Sequence, residues 1–303
     1  MKSRLVVGTR QSKLALRQTQ LVVGALKKVA PQTEFSVQKI KTEGDRNLRD
    51  SLRKIGGKGV FVKEIEKQLL EGKIDFAVHS LKDVMSVLPA NLTIGCIPKR
   101  DSPFDCLITS KPIQHLSDLP LGSRVGTNSV RRQGQLLHLR PDLKIVQIRG
   151  NIDTRLQKIS SEHLAGIVLA EAGINRLKVN LKGLYRLTLK DKILPAAGQG
   201  AMAIECRLND LDTLQLIHML DDGNSHRAVA IERQFLKTLG GDCNYPIGAF
   251  AQCYGDKVDF TGLVASENGE KLFSKEHIGN VEDELGLRTA RELIEAGALE
   301  LIK

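Results

Sequence analysis

Gly126-Thr127-Asn128-Ser129-Val130-Arg131-Arg132 and Ile148-Arg149-Gly150-Asn151-Ile152-Asp153-Thr154-Arg155 are the two stretches on which the reading of this chain turns. Each follows or ends an apolar, strand-like run and leads into a helical pattern. That order is expected where a strand of an open α/β sheet gives way to a helix N-terminus. Backbone N–H groups, the hydroxyls of Thr127 and Ser129, and four guanidinium groups would converge there, in a setting for several carboxylates or phosphates. Arginine's planar, permanently charged fork suits a defined anion better than diffuse attraction to a polyanion. One arginine at a helix start is as readily a solvated side chain. Four of them at two such junctions point to a site.

Outward from these junctions, strand-like and helix-like segments alternate. Residues 5–8 read as a strand, followed by a helix in which Leu14, Leu21, Val22, Ala25 and Leu26 can share a face. Phe61, Ile65 and Leu69 form a stripe at spacing four on a helix after Gly56-Gly57-Lys58-Gly59. Short β-rich runs follow at 75–79, 92–96, 123–126, 145–148 and 167–170. This alternation predicts an α/β architecture, its sheets covered by helices on both faces. With 303 residues, the chain exceeds what one hydrophobic core serves, so two or three domains are expected. Composition shifts at Pro98-Lys99-Arg100-Asp101-Ser102-Pro103 and at Leu194-Pro195-Ala196-Ala197-Gly198-Gln199-Gly200 mark crossings between lobes. The last third differs. Asn224 or Ser225 can cap a helix running through Val229, Glu232, Phe235 and Leu239, which Gly240-Gly241 can end. Turn signals at Gly255-Asp256 and Asn268-Gly269 then divide three β-rich runs, and a helix spans roughly 282–295, which makes a small α+β domain with a three-stranded antiparallel sheet.

The charge balance, 45 basic against 35 acidic residues, calls for an anionic partner. Nucleic acid fits poorly: there is no Trp, with three Tyr and eight Phe, so stacking platforms are scarce, and no zinc-finger, zipper or RNP signature occurs. Small acidic ligands fit better. No apolar run approaches the roughly 20 residues of a membrane span, and the start of the chain lacks a signal-peptide core, so a cytoplasmic protein is expected. Cys96, Cys106, Cys206, Cys243 and Cys253 are widely spaced and without His at zinc-ligand spacing, so reduced thiols and no metal are expected. Four of them lie in or beside β-like runs and read as inert.

Three further constellations could carry chemistry. His79-Ser80-Leu81-Lys82-Asp83 ends the apolar run Phe76-Ala77-Val78, where side chains emerge at a sheet edge. A carboxylate there, among basic neighbours, could stabilise a developing cation or shuttle a proton, or else cap a helix. Gly56-Gly57-Lys58-Gly59, flanked by Lys54 and Lys63, permits close backbone approach but does not match the Walker pattern. Cys243, in the turn-rich Gly240-Gly241-Asp242-Cys243-Asn244-Tyr245-Pro246, could present a thiol to a cleft, against the common reading of an inert buried cysteine.

Taken in order, Gly8-Thr9-Arg10-Gln11-Ser12, Gly56 to Phe61, His79 to Asp83, Thr127 to Arg132, Arg149 to Arg155, Pro195 to Gly200 and Glu232-Arg233 leading to Cys243 resemble the porphobilinogen deaminase family over nearly the whole chain. The resemblance implies a transferase with a dipyrromethane cofactor joined by a thioether to Cys243. Such an enzyme condenses four porphobilinogen molecules into hydroxymethylbilane, with loss of ammonia at each addition. It implies Asp83 as the catalytic carboxylate. Arg10, Ser12, Lys82, Thr127, Ser129, Arg131, Arg132, Arg149, Arg155, Arg176 and Gln199 would hold cofactor and substrate, and Lys54 and Lys58 would sit on an active-site loop. It also implies two lobes of the periplasmic-binding-protein type, at 1–98 plus 196–215 and at 99–195, a third domain at 216–303, and a monomer. Met85, Asn128, Asp242 and Tyr245 depart from the family's usual Pro, Ser, Gly and β-branched residue. The rival reading is a non-catalytic two-lobed binder of small organic anions, which would need no covalent group on Cys243. A nucleic-acid regulator, a more distant rival, would show steeply salt-dependent duplex affinity.

Overall fold

Strands alternate with helices through the first two-thirds of the chain, as the computed structural model of residues 2–46, 59, 62–241 and 244–302 describes. The first sheet holds β1 (Arg4–Arg10), β2 (Glu34–Ile40), β3 (Phe76–Ser80), β4 (Leu92–Cys96) and β10 (Met202–Arg207), in the order β2-β1-β3-β10-β4. The second holds β5 (Asp105–Thr109), β6 (Arg124–Gly126), β7 (Lys144–Val146), β8 (Gly166–Ala170) and β9 (Tyr185–Thr188), in the order β7-β6-β8-β5-β9. Both follow one plan: three parallel strands, then one strand antiparallel to its neighbours on either side. In the first sheet that strand is β10, and in the second it is β5.

The helices are α1 (Lys13–Val29), α2 (Glu43–Arg46), α3 (Lys63–Leu70), α4 (Val130–Leu139), α5 (Ile152–Ser161), α6 (Glu171–Leu177) and α7 (Leu211–His218). Successive residues of β5 serve opposite faces. Cys106 and Ile108 pack with Ile148 and Leu169, whereas Leu107 packs with Val125 and Leu136. Apolar layers on both faces explain why these strands read as continuous runs instead of alternating ones. A third unit combines α8 (Gly223–Thr238), a meander of β11 (Ile247–Tyr254), β12 (Lys257–Ala265) and β13 (Leu272–Asn280), and α9 (Leu285–Glu295). Its core closes around Phe235 and Phe260, whose rings meet edge to face at 5.5 Å. The expected turns fall at Gly255 and Gly269, both at positive φ.

Several elements differ from the sequence expectation. The buried face of α1 is Ala15, Gln18, Thr19, Val22 and Leu26, and Leu21 faces solvent. Polar residues turn inward there because their groups are satisfied: Gln18 exchanges hydrogen bonds with Ser80, and Thr19 Oγ1 donates to the Ala15 carbonyl. The helix α8 is capped by Asp222, which accepts from the Ser225 N–H, and not by Asn224 or Ser225. Ser225 Oγ accepts instead from the Arg100 N–H. Helix α9 starts at Leu285 because residues 281–283 form a separate 3-10 turn. Strands β2, β5, β9 and β10 add to the expected set; β2 and β9 are polar edge strands, while β5 and β10 each carry a buried acid. Phe61 and the glycine run from Gly56 to Lys58 lie outside the described residues, and α3 begins at Lys63.

Two crossings join the lobes, one after β4 and one before β10, and they touch at Gly200. A Cβ at Gly200 would stand 2.6 Å from the carbonyl oxygens of both Asp101 and Ser102, and its φ is +86°. Only glycine permits that approach. Glu232, fully buried on α8, clamps both crossings to the third unit. It accepts Arg100 Nη1 at 2.7 Å and Nη2 at 3.1 Å, Gly198 N at 2.6 Å and Ala251 N at 2.9 Å. Glu232→Ala takes the acceptor from Arg100 Nη1 and Nη2 and from two backbone donors, leaving the guanidinium only its Nε bond to the Gln199 carbonyl. Denaturant unfolding is expected to lose about 3–5 kcal/mol; a loss below about 1 kcal/mol would place the clamp elsewhere.

Candidate active site

The two lobes face each other across a cleft at the C-terminal ends of their parallel strands, the position where open α/β sheets receive ligands. Strand β1 delivers Arg10 and, two residues on, Ser12 at the N-terminus of α1; β3 delivers Lys82 and Asp83 on a 3-10 turn. From the other lobe, β6 runs into Thr127 and the start of α4, and residues beyond β7 lead through Arg149 into α5. A cavity of about 260 Å³ lies between, lined by Arg10, Ser12, Lys82, Arg132, Arg155 and Arg176, with Ile152 and Leu169 as apolar wall. Asp83 lines an adjoining cavity of about 60 Å³ with Arg10, Ser12, His79 and Ser80. Asp83 belongs to the turn itself, and the cap residue of that turn, Ser80, makes no side-chain capping bond.

A buried carboxylate that sequence reasoning missed organises the second lobe's half. Asp105, fully buried at the start of β5, faces Arg131 Nη2 at 2.8 Å and accepts from Arg132 Nε at 3.1 Å and Nη2 at 2.7 Å. Gln199 Nε2 donates to it at 2.9 Å and to the Pro103 carbonyl at 2.7 Å. Burial pushes the Asp105 carboxyl up, but Arg131 and Arg132 outweigh it and hold the group far below the usual carboxylate range. The available signal was a charged residue opening the apolar run Cys106-Leu107-Ile108, a place where an acid needs a partner.

The expected ligand residues therefore divide. Arg131 and Arg132 are anchored: besides Asp105 they donate to the carbonyls of Leu194 and Val168, and both are nearly inaccessible, although an edge of Arg132 reaches the cavity. Arg131 does not line the cavity at all. Gln199 is buried and spans the lobes, since its Oε1 accepts from Lys82 Nζ at 3.2 Å. The Thr127 hydroxyl is buried and accepts from the Ser129 N–H, while Ser129 starts α4 without a capping side-chain bond. Ser12 spends an acceptor lone pair on the Ala15 N–H as the α1 cap, which leaves its O–H for a ligand.

The remaining cations are more available. Arg149 Nη2 is buried without a partner among the described residues. Arg155, whose Nε donates to the Gly150 carbonyl, is brought down to about 10 by desolvation and by Arg132 and Arg149. Desolvation and Arg132 pull Lys82 down to about 8, against the opposing pull of Asp83. Arg176 donates to the Gly200 carbonyl and stands 3.6 Å from Asp101, and burial lowers it as well. Guanidinium groups keep their protons under such strain, so the crowding amounts to an unmet demand for anions. Cys243, Asp242, Lys54 and Lys58 lie outside the described residues. Among the described residues no three His, Cys, Asp or Glu are grouped to hold a metal, and no helix is long and apolar enough to cross a membrane.

Fold and site together define a two-lobed α/β protein whose interlobe cleft is lined by cations. Residues 5–215 match the family model described as porphobilinogen deaminase, dipyromethane cofactor binding domain, and residues 226–295 match that of the porphobilinogen deaminase C-terminal domain. Over 294 residues the chain is 52% identical to the porphobilinogen deaminase of Limosilactobacillus reuteri (strain DSM 20016), covering 97% of this chain and 96% of the relative. It is 46% identical to that of Bacillus subtilis (strain 168) over 297 residues, covering 98% and 94%. The chain belongs to the porphobilinogen deaminase family. It is a transferase of porphyrin biosynthesis that acts on porphobilinogen with a dipyrromethane cofactor. Among solved structures, a putative methionine-binding lipoprotein of Bacillus subtilis is 14% identical with a TM-score of 0.43, covering 71% of this chain and 90% of that one.

Asp105→Asn removes the charge that two buried guanidinium groups share. At neutral pH the variant is expected to be less stable by about 3–5 kcal/mol in denaturant unfolding. Because the folded-state pKa of Asp105 is depressed, its contribution is complete above the unfolded value of about 4 and is lost as pH falls through the folded value. The gap between wild type and variant should therefore narrow as pH drops below about 4. A gap independent of pH would contradict the depressed carboxyl.

Proposed function

We propose that Asp83 is the catalytic carboxylate of this chain and that Cys243 carries the dipyrromethane through a thioether. The observation that supports the reading best is the placement of Asp83 on a turn at the cleft floor, close enough to Lys82 and Arg155 for its charge to act on both. A cofactor rich in carboxylates also fits the buried Arg149 Nη2, which has no partner among the described residues, and the cationic cavity wall. When bound, the dipyrromethane supplies the covalent primer to which four porphobilinogen units are added, with hydroxymethylbilane and ammonia as products.

In this reading Arg131 and Arg132, preorganised by Asp105, hold cofactor carboxylates with the help of Thr127 and Ser129. Arg10, Ser12, Lys82, Arg149, Arg155 and Arg176 hold those of the substrate, and Gln199 fixes the Lys82 ammonium. The Asp83 carboxylate accepts pyrrole N–H hydrogen bonds, stabilises the positive charge that develops as the substrate's amine departs, and takes up a proton. Lys54 and Lys58 assist closure of the site. The sheet membership of the strands supports lobes at 1–98 plus 196–215 and at 99–195 with a third domain at 216–303. Membership of the family is the ground for reading the protein as a cytoplasmic monomer.

Peptide mapping of active protein should find the two-pyrrole adduct on Cys243 and nowhere else, and Cys243→Ala should abolish it. A free Cys243 in active enzyme would sink the assignment. Asp83→Asn should fold and keep its cofactor mass, yet lose about a hundredfold or more in turnover. Activity within a few-fold of wild type would reduce Asp83 to a structural residue of the turn.

A further inference from the structure

Behind Asp83 lies a buried cluster that holding the ligands does not use. His79 on β3 and Glu205 on β10 are diagonal neighbours across the antiparallel pair, since His79 stands opposite Ala203. Their Nε2 and Oε2 atoms are 2.9 Å apart, with side chains 3% and 0% exposed. Glu66 on α3 packs against them and is 6% exposed. The Oε1 atoms of Glu66 and Glu205 are both buried without a hydrogen-bond partner among the described residues. Two orphan carboxylate oxygens in one apolar setting call for an explanation, because each costs free energy unless a proton or water serves it.

The cluster also has a route to the cleft. His79 and Asp83 line the same cavity of about 60 Å³. That exceeds the roughly 10–15 Å³ a single water requires, and the hydroxyl of Ser80 and the amide of Gln18 supply polar partners along its wall. The charged groups facing the cluster come from each element around it. Lys63 lies on the same helix as Glu66, and Arg233 of α8 acts on Glu205 while donating to the carbonyls of Val84, Met85 and Ser86, the segment just after Asp83. Burial lifts Glu66 to about 7, Glu205 adds to the lift, and His79 and Lys63 oppose it.

We propose that Glu66, His79 and Glu205 form a buried proton store that exchanges with Asp83 through the shared cavity, an inference that rests on Asp83 as the reacting carboxylate. At each condensation the C–N bond of the substrate's protonated aminomethyl group breaks, its electron pair leaves with ammonia, and a C–C bond forms. The pyrrole carbon that gains the new bond then sheds one proton while its C–H electron pair returns to the ring. That proton passes to the Asp83 carboxylate, then through water in the small cavity to His79 and onto a carboxylate of the store. The store later releases it to solvent, so Asp83 is ionised again before the next unit arrives. Glu66, His79 and Glu205 are positioning residues in this scheme, because they act through Asp83.

The test uses holoenzyme whose cofactor content is checked by intact mass. In wild type, kcat should rise with an inflection near pH 7, where Glu66 becomes able to accept a proton. In Glu66→Gln the inflection should vanish and the plateau kcat fall about tenfold with KM unchanged. An unaltered profile in a folded, cofactor-loaded variant would overturn the proposal. Infrared difference titration supplies a readout independent of turnover: a protonated-carboxyl band with a midpoint near 7 should be present in wild type, survive in Asp83→Asn and disappear in Glu66→Gln. Its absence from wild type would overturn the proposal even if Glu66→Gln failed to fold. Retained turnover in Asp83→Asn would instead defeat the reading of Asp83 while leaving the band in place.

Discussion

The burial of Asp105 between Arg131 and Arg132 is the constraint around which the cleft is organised. An isolated carboxylate at the head of a fully buried strand would be untenable, and two guanidinium groups with a Gln199 amide make it tenable. The compensation is geometric as well as energetic. It pins the first turn of α4 to β5, draws the crossing that carries Gln199 against the second lobe, and through Gln199 steadies Lys82 of the first lobe. One carboxylate thus sets the positions of cations on both sides of the cleft before any ligand arrives, the kind of preorganisation that electrostatic catalysis depends on.

The two lobes repeat a device. In each, the antiparallel strand inserted beside the parallel set carries a fully buried acid, Asp105 in β5 and Glu205 in β10. Their partners differ in chemical kind. Asp105 faces permanently charged arginines and is held as an anion, whereas Glu205 faces an imidazole and a second carboxylate whose pKa burial raises. The first arrangement suits fixed anchoring and the second suits proton traffic. Glu232 completes the frame from the third unit, since one carboxylate holds Arg100 on one crossing and the Gly198 N–H on the other. The lobes are joined by these two crossings, and the clamp holds both of them to the third unit.

The α/β class, the strand ends that bear the site and the arginine-rich junctions were legible from residue order, because buried strands and helix starts leave local signatures. The three-stranded meander was equally legible, with Gly255 and Gly269 marking its turns at positive φ. The motif order from Gly8 to Cys243 was enough to name the family, which the full-length relatives support. Misreadings arose where a polar group turned inward to a distant partner. Gln18 faces Ser80 across 62 positions and rotates the buried face of α1, and Ser225 serves Arg100 across 125 positions and leaves the cap of α8 to Asp222.

Residue order by itself determined which side chains could bind anions, since charge and fork geometry belong to the residue type. Only the tertiary structure decided which of them are already held by a protein carboxylate. Arg131, Arg132 and Arg149 look alike in sequence, yet the first two are anchored to a carboxylate that precedes them by 26 and 27 positions, while the third keeps a buried nitrogen without a partner among the described residues. A local pattern cannot carry that distinction. It depends on where β5 is inserted in the sheet, which long-range strand pairing settles, and on the rule that a buried charge must find its opposite wherever the fold has placed one.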